Sequence, residues 1–366
     1  TSDSQIRFDN KGICNHCKEY YDLVNTDLQT AEKKEKQLSK IIQEIKIAGE
    51  EKEYDCIIGI SGGVDSTYLA YLVKEVFGLR AYAVHLDNGW NSKLAVKNIR
   101  NILQNLDIDL YTHVIDWEEF KNMQIAYFKA SVIDIEAITD HSINAILYEV
   151  ANQYDIKYIL KGFNNATEKI MPKSWTFNKN DIENIKNIVK THGNTEIKTF
   201  PLLGHKKLNY YTKQKNIHTV SPYNFMKFDK EKAKDVIVNE LGWVDYGGKH
   251  HESIFTRFYQ GYILPRKFNV DKRKAHYSNL ICANSMTREE AIEDLKNSPY
   301  PEDICREDYE YVIKKLGFTK SEFEEILEAP VKSHFDYKSD IQSKIYKKYI
   351  SPTNPVVKMV KKMINK

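Results

Sequence analysis

In the first 160 residues of this chain, short apolar runs alternate with segments whose hydrophobic residues have helical spacing. Four short apolar runs have the length of β-strands that are buried on both faces. They lie at 54–60, 80–87, 109–115 and 157–160. Segments with helical spacing follow or separate them, at 67–76, 94–106, 117–130 and 140–153. Because strands that alternate with helices form βαβ units, the pattern predicts an α/β fold with a parallel, doubly wound sheet.

The pattern changes on both sides of this region. A charged amphipathic helix is predicted over 29–48, and the chain from about residue 204 is mainly helical. The later helices are predicted near 229–241, 252–263, 287–297, 305–316 and 319–328. We therefore expect three parts: a cysteine-containing segment with a helix at 1–50, an α/β domain at 51–203 and a mainly helical, substrate-binding domain at 204–366.

Composition narrows the class of protein. The chain has 366 residues, with 54 Lys and Arg against 51 Asp and Glu, so its net charge is +3. A protein that wraps nucleic acid usually carries a larger basic excess, and we expect no nucleic-acid partner. No apolar run reaches the roughly 18 residues of a membrane span, and no signal-peptide pattern opens the chain. These features predict a cytoplasmic protein without a membrane partner.

The sharpest motif lies between the first strand and its helix, where the sequence is Ser61-Gly62-Gly63-Val64-Asp65-Ser66. Two glycines allow a tight turn and leave backbone N–H groups open toward an anion. Two serine hydroxyls and the positive end of the following helix point to the same place. A carboxylate fits beside a phosphate when Mg²⁺ lies between them, so Asp65 is a candidate magnesium ligand. The motif predicts a phosphate-binding loop.

This loop lacks the lysine and spacing of a Walker A motif, and the chain has no G-x-G-x-x-G fingerprint. The S-G-G-x-D-S sequence after the first strand instead resembles the PP-loop of N-type ATP pyrophosphatases. That resemblance implies an adenine nucleotide alpha-hydrolase-like fold, ATP and Mg²⁺ as cofactors, and cleavage of ATP between its α- and β-phosphates. It also implies nucleotide contacts at Asp87, Asn88 and Gly162, with Gly59 and Ile60 as weaker candidates beside adenine.

Further blocks resemble the N-acetyl sugar amidotransferases of this superfamily. They lie at 1–3, 8–9, 12–17, 161–168, 246–253, 256–257, 264–268 and 271–273. Such enzymes serve surface polysaccharide, lipopolysaccharide and pseudaminic- or legionaminic-acid pathways, including flagellin glycosylation. The resemblance implies that an N-acetyl group becomes an acetamidino group. ATP would adenylate the amide oxygen, and ammonia would then displace AMP.

The resemblance also assigns roles. The catalytic candidates are Asp65, Lys249, Arg257 and Glu168, and the substrate-binding candidates are Asn164, His250, Glu252, Lys267 and Arg273. For each His or Glu, a solvated or structural side chain is the alternative, and Asp271 with Arg273 would equally suit a structural ion pair. Lys206, Lys207 and Arg266 are further candidates for a carboxylate or phosphate of the sugar.

Ammonia needs a source, and a glutaminase would need a nucleophilic cysteine. Residue 1 is Thr, and the amidotransferase-like blocks span nearly the whole chain. We therefore expect a separate glutaminase of the histidine-pathway type with its cyclase-like companion, or direct use of free ammonium.

The cysteines are five in number, at positions 14, 17, 56, 282 and 305. An odd, scattered set indicates free thiols or a metal site rather than a disulfide framework. Cys14 and Cys17 supply half of a zinc-knuckle ligand set. Relatives carry another C-x-x-C before the segment that begins here at Thr1, so we expect an incomplete zinc site and further residues upstream.

Two other functions stay open at this point. A tRNA-thiolating PP-loop enzyme would also adenylate a carbonyl oxygen, but it should carry reactive cysteines near the loop and a basic groove. A non-catalytic nucleotide-binding module is the second alternative, although the retained charged site residues argue against it.

Overall fold

The computed structural model describes residues 2–26, 31–247 and 251–342. Its centre is a parallel sheet of five strands in the order β3-β2-β1-β4-β5. The strands are β1 (Cys56–Gly59), β2 (Ala81–Asp87), β3 (Asp109–Val114), β4 (Tyr158–Leu160) and β5 (His218–Val220). The α/β prediction is confirmed.

Sixteen α-helices surround and extend this sheet within the described residues. They are α1 (Asn15–Thr26), α2 (Ala31–Gly49), α3 (Val64–Tyr71), α4 (Lys93–Leu106), α5 (Trp117–Ala130), α6 (Ala137–Gln153), α7 (Asn165–Glu168), α8 (Ile182–His192), α9 (His205–Asn209), α10 (Lys230–Leu241), α11 (Ile254–Phe258), α12 (Leu264–Phe268), α13 (Arg273–Cys282), α14 (Arg288–Asp294), α15 (Glu302–Leu316) and α16 (Lys320–Glu328). The helical C-terminal region is thus present as predicted.

The strand order places a switch point between β1 and β4. From β1 the chain builds outward through β2 and β3, and then crosses back to add β4 and β5 on the other side. Connections that leave in opposite directions open a crevice at the carboxyl ends of the two strands. The phosphate-loop motif directly follows β1, so the fold places it at this crevice.

Apolar side chains on both faces explain why β1 is central. Ile57 and Ile58 are fully buried, and they enter the two different hydrophobic cores that lie on opposite faces of the sheet. Ile58 packs with α3 and α4, whereas Ile57 packs with α6. This two-sided burial is what a continuous apolar run in a parallel sheet predicts.

Local sequence signals set several helix ends. Ser92 caps α4 by accepting a hydrogen bond from the N–H of Ala95, and Asp116 caps α5 by accepting one from Glu119. Asp107 ends α4 in the left-handed conformation, with φ of 49°. These caps agree with the predicted helices at 94–106 and 117–130 to within one residue.

The structure differs from the predicted pattern in two regions. The fifth strand, β5, lies at 218–220, inside the segment predicted to be helical, and α10 packs on α3. The α/β layer therefore continues past the boundary predicted at residue 203. The helix predicted over 252–263 begins at Ile254, turns π-helical at 259–263 and continues through α12 to Phe268.

A large aromatic core joins the C-terminal helices to the α/β layer. Phe255, Phe258 and Phe323 share this core with Phe120 and Phe128 of α5. The helical region is therefore anchored on one flank of the sheet, next to the carboxyl ends of the strands. Among the described helices, none combines the length and the apolar composition that a membrane crossing requires.

Candidate active site

The phosphate-loop motif forms a compact turn between β1 and α3. The hydroxyls of Ser61 and Ser66 lie 3.1 Å apart, and the Gly63 N–H donates to Ser61 Oγ at 3.3 Å. Ser66 Oγ also contacts the N–H of Ser61 at 3.2 Å and donates to the carbonyl of Gly63 at 3.1 Å. The two hydroxyls and the N–H groups of Ser61 and Gly63 therefore lie together in the turn, bonded to one another. This is the arrangement that an anion-binding loop needs.

Helix α3 adds its amino end to the same place. Gly63 is its N-cap residue and supplies no side-chain cap, so N–H groups of the first turn are left for other acceptors. Asp65 lies on that first turn. The partial positive charge of the helix end favours a bound phosphate here.

Gly62 is held from the opposite side by two aromatic residues. The indole N–H of Trp243 donates to the Gly62 carbonyl at 2.8 Å, and the Tyr246 hydroxyl donates to it at 2.6 Å. Burial raises the pKa of Tyr246 to about 12, so its hydroxyl keeps the proton it donates. Gly62 has φ of 84°, a conformation that favours glycine.

The loop after β2 contains the predicted nucleotide contacts Asp87 and Asn88. The carboxylate of Asp87 accepts hydrogen bonds from the Gly89 N–H at 2.9 Å and from the Asn91 amide at 3.3 Å. Asn88 is buried and accepts from the N–H of Trp90 at 3.2 Å. These contacts fix the loop at the carboxyl edge of the sheet, one strand away from the phosphate loop.

A cation from the helical region fastens this loop. Lys315 of α15 places its ammonium 4.8 Å from the ring centre of Trp90 and 4.6 Å from that of Trp117. The same ammonium donates to the Gly89 carbonyl. Cation–π contacts at exposed sites are worth about 0.5–1 kcal/mol each.

The segment after β4 packs against the phosphate loop. A β-carbon on Gly162 would lie 2.9 Å from the carbonyl oxygen of Asp65, so only glycine fits there without displacement. The hydroxyl of Tyr223 donates to that same carbonyl at 2.7 Å. Asn164 is buried just beyond, and the Glu168 N–H donates to its carbonyl at 3.0 Å as α7 begins. Gly162 therefore lies against the phosphate loop, and Asn164 and Glu168 follow it in the same segment after β4.

The helical region contributes Glu252 to this crevice. A β-carbon on Gly63 would lie 3.1 Å from Glu252 Oε1, which places the carboxylate beside the phosphate loop. The segment is held there by an antiparallel bridge between Asn91 and Ser253 and by a hydrogen bond from the Ser92 N–H to the Glu252 carbonyl at 2.9 Å. Lys249 and His250 lie outside the described residues and stay predictions.

Three predicted cationic contacts have protein partners instead. Arg257 forms a two-pronged ion pair with the buried Asp308, with distances of 2.6 and 2.8 Å. The Lys267 ammonium caps the end of α16 by donating to the carbonyls of residues 326, 327 and 329. Arg273 pairs with Asp271 at 2.8 Å, which realises the structural alternative for that pair.

Sequence reasoning missed four side chains at the crevice: Trp243, Tyr246, Tyr223 and His251. The first two and Tyr223 hold phosphate-loop carbonyls, contacts that span about 160–180 residues of chain. Burial lowers the pKa of His251, which lies among Arg257, Glu252 and Asp308. The adjacent histidine pair at 250–251 was the available signal for this residue.

Two cysteines of the predicted zinc site lie close together. Cys14 and Cys17 lie at the start of α1 with their sulfur atoms 3.4 Å apart, and Cys17 packs against Cys282 of α13. Across residues 2–26, 31–247 and 251–342, no three His, Cys, Asp or Glu side chains are grouped to hold a metal ion. The structure therefore gives no support to zinc.

Two known families match separate parts of this chain. Residues 32–202 match the NAD synthase family. Residues 252–350 match the family described as LPS biosynthesis protein WbpG-like, C-terminal domain. The first match covers the sheet through β4, and the second begins at Glu252.

Three individual proteins that match this chain share 14% to 30% sequence identity with it. An uncharacterized protein from Methanocaldococcus jannaschii is 24% identical over 286 residues, or 75% of this chain and 84% of its own length. A tRNA-specific 2-thiouridylase from Fusobacterium nucleatum is 30% identical over 144 residues, or 37% of this chain and 39% of its own. The structure of the NH3-dependent NAD synthetase from Campylobacter jejuni covers 74% of this chain and 94% of its own, with 14% identity and a TM-score of 0.32.

Proposed function

We propose that this chain, whose α/β domain is that of the PP-loop ATP pyrophosphatase superfamily, is an ATP-dependent amidotransferase acting on an N-acetylated sugar. It would convert the N-acetyl group to an acetamidino group. The observation that carries the proposal is the position of Glu252, which lies beside the phosphate loop and opens the WbpG-like segment. One crevice thus joins the part that suits ATP to the part that resembles a lipopolysaccharide biosynthesis protein.

The first chemical step activates the amide. The acetamido oxygen attacks the α-phosphorus of ATP, the bond to the β-phosphate oxygen breaks, and pyrophosphate leaves. The amide nitrogen gives up its proton, and the product is an O-adenylated imidate, in which the oxygen has become part of a good leaving group. Donors that converge at Ser61, Gly63 and Ser66 would stabilise charge on the phosphates as this bond breaks.

The chain also offers a carboxylate for Mg²⁺. This ion takes one or two carboxylates together with phosphate oxygens and waters, and Asp65 on the first turn of α3 fits that donor set. When bound, Mg²⁺ would neutralise charge on the departing pyrophosphate. A site completed by substrate phosphates needs no larger cluster of protein ligands.

The second step replaces oxygen by nitrogen. Ammonia attacks the imidate carbon, the carbon–oxygen bond breaks, and AMP leaves with that oxygen while a proton is released. Glu252, beside the phosphate loop, and Glu168, in α7 after β4, would orient the amide or accept that proton. We propose that ammonia comes from a separate glutaminase and cyclase-like pair, or from free ammonium.

A tRNA-thiolating function is the alternative, and the 144-residue match to a tRNA-specific 2-thiouridylase favours it. Such chemistry needs a reactive cysteine at the loop. Cys56, five residues before the loop, is fully buried in β1, and burial raises the pKa of its thiol. The cysteines near α1 pack with α13 instead. These positions support the amidotransferase.

The test measures pyrophosphate and AMP release by the purified chain with ATP, Mg²⁺ and ammonium. N-acetylated nucleotide sugars, free N-acetylated nonulosonic acids and unmodified tRNA are the three substrate arms. We expect turnover with a sugar and a product lighter by 1 Da, because oxygen is replaced by NH. Turnover with tRNA alone would establish the alternative, and nucleotide binding without turnover would leave the non-catalytic module.

Two controls sharpen this test. Asp65→Asn should abolish turnover, whereas Asp235→Asn, on the exposed face of α10, should not change it. Glutamine should replace ammonium only when the glutaminase pair is added, and turnover of glutamine by the chain alone would contradict the proposed partner. Metal analysis of the purified chain tests zinc at Cys14 and Cys17, which otherwise stays a prediction.

A further inference from the structure

The phosphate loop of this chain is held by its own hydrogen bonds and by two residues from a distant part of the chain. Its Gly62 carbonyl accepts hydrogen bonds from Trp243 at 2.8 Å and Tyr246 at 2.6 Å, and both donors lie outside the region matched by the NAD synthase family. We infer that Trp243 and Tyr246 are positioning residues, which keep the Gly63 N–H facing the bound phosphate. This inference rests on the loop's role in the proposed function.

Peptide geometry links the two sides of the loop. In a trans peptide the carbonyl and the N–H point in opposite directions, so fixing the Gly62 carbonyl also fixes the Gly63 N–H. That N–H points to Ser61 Oγ at 3.3 Å, where the serine hydroxyls converge. Trp243 and Tyr246 therefore act on the phosphate side without touching it.

The glycines make this support necessary. Gly62 has φ of 84° and precedes another glycine, so little steric resistance opposes rotation of the peptide between them. A rotated peptide would turn its carbonyl oxygen toward the phosphate, and two partial negative charges would then meet. Both hydrogen bonds are lost in the rotated form, so they favour the binding-competent orientation.

The two aromatic residues are themselves held rigidly. Their rings pack edge to face with centres 5.4 Å apart, and Trp243 is buried. Between them, the backbone of Val244 exchanges two hydrogen bonds with the side chain of Asn98, at 2.8 and 3.1 Å. Because Asn98 lies inside α4, the segment is fixed to the sheet before it reaches the loop.

The test compares Tyr246→Phe, Trp243→Phe and the double variant. Isothermal titration measures the affinity of each for α,β-methylene-ATP and for inorganic pyrophosphate, both with Mg²⁺. Each single change should weaken both ligands by about fivefold to tenfold, as expected for loss of one hydrogen bond. The loss should be equal for the two ligands, because they share the phosphates. Urea denaturation shows whether the variants stay folded.

Matched controls separate positioning from general damage. Tyr148→Phe removes a hydroxyl that contacts Thr219 Oγ1 at 3.0 Å, away from the loop. Trp175→Phe removes the same volume from a buried indole, whose N–H has no partner among the described residues. Both should bind the two ligands as the unmodified chain does.

Unchanged affinities in Tyr246→Phe and Trp243→Phe would overturn the inference, as would equal losses in the two controls. An unmodified chain that binds neither ligand would also overturn it. A chain that binds both ligands but amidates no sugar would contradict the proposed function alone. In that case the measured affinities still decide whether Trp243 and Tyr246 position the loop.

Discussion

The carboxylate of Glu252 lies against the α-carbon of Gly63, with Oε1 3.1 Å from the place a β-carbon would occupy. This arrangement brings a carboxylate to a loop whose other features favour an anion. Repulsion between Glu252 and bound phosphates would weaken ATP binding. We therefore propose that this carboxylate takes part in the reaction, which would explain its position.

Replacing Glu252 by Gln tests this explanation. We expect the rate of amidination to fall by about 100-fold, the scale of one acid–base group, while affinity for an ATP analogue stays equal or improves. Steady-state kinetics and calorimetry measure the two quantities. Glu240→Gln, at an exposed position of α10, serves as the control. An unaltered rate in Glu252→Gln would remove this residue from the mechanism.

Gly62→Ala should destabilise the fold more than Gly247→Ala. Both glycines have φ near 80°, so each alanine costs about 1 kcal/mol in backbone strain. At Gly62 the added methyl would also meet Tyr246 Oη at 2.9 Å and the Ala95 carbonyl at 3.1 Å, whereas at Gly247 no atom of the described residues lies within 4 Å of it. We expect about 3 kcal/mol for Gly62→Ala by urea denaturation. Equal losses would show that the contacts yield freely.

Lys267→Met should lower stability without changing the kinetics. The ammonium donates to three carbonyls at the end of α16, and its loss leaves them without this partner. We expect a loss of about 1–2 kcal/mol in the free energy of unfolding. The KM for sugar should stay constant. A raised KM with unchanged stability would instead support the substrate contact predicted from the sequence.

The fold should lose stability as the pH falls from 6.5 to 4. Burial lowers the pKa of His334 to about 4, and its Nε2 accepts the N–H of Asp134 at 3.3 Å, which requires a neutral ring. Below pH 6.5 the imidazole of His334 binds a proton in the unfolded chain but not in the folded chain. The free energy of unfolding therefore declines until the pH reaches the folded pKa of about 4. The difference corresponds to about 3 kcal/mol.

Urea denaturation at pH 7.5, 6, 5 and 4 measures this dependence. His334→Asn should be less stable at pH 7.5 and should show a flatter decline between pH 6.5 and 4. A decline as steep as that of the unmodified chain would assign the effect to other groups, such as the buried His85 and His141, whose pKa values are also lowered by burial.

The sequence predicted the parts of the fold that depend on local patterns. The strands around Ile57 and the capped helix at 117–130 carry strong periodic signals. Strand β5 consists of His218, Thr219 and Val220, of which the first two are exposed, so no apolar run marks it, and it pairs with β4. The helical pattern at 252–263 likewise did not predict the π-helical turn at 259–263.

The candidate site was likewise predictable where a contiguous motif marks it and not where distant residues meet. Loop residues such as Gly63 and Asp65 follow from a contiguous motif, and the structure places Glu252 beside them. An arginine can serve either a substrate contact or an ion pair within the protein, and the sequence does not distinguish the two. The ion pair between Arg257 and Asp308 could therefore not be predicted. Trp243 and Tyr246 act through contacts across about 180 residues, which no local pattern records.

The bridge between Asn91 and Ser253 has a consequence for how such a protein changes over time. It ties the loop after β2 to the start of the helical region, next to Glu252, so neither half carries a complete crevice. Exchanging the helical region for another would remove a wall of the site along with its specificity. A different helical region would therefore need an equivalent contact with the loop after β2 to complete the crevice.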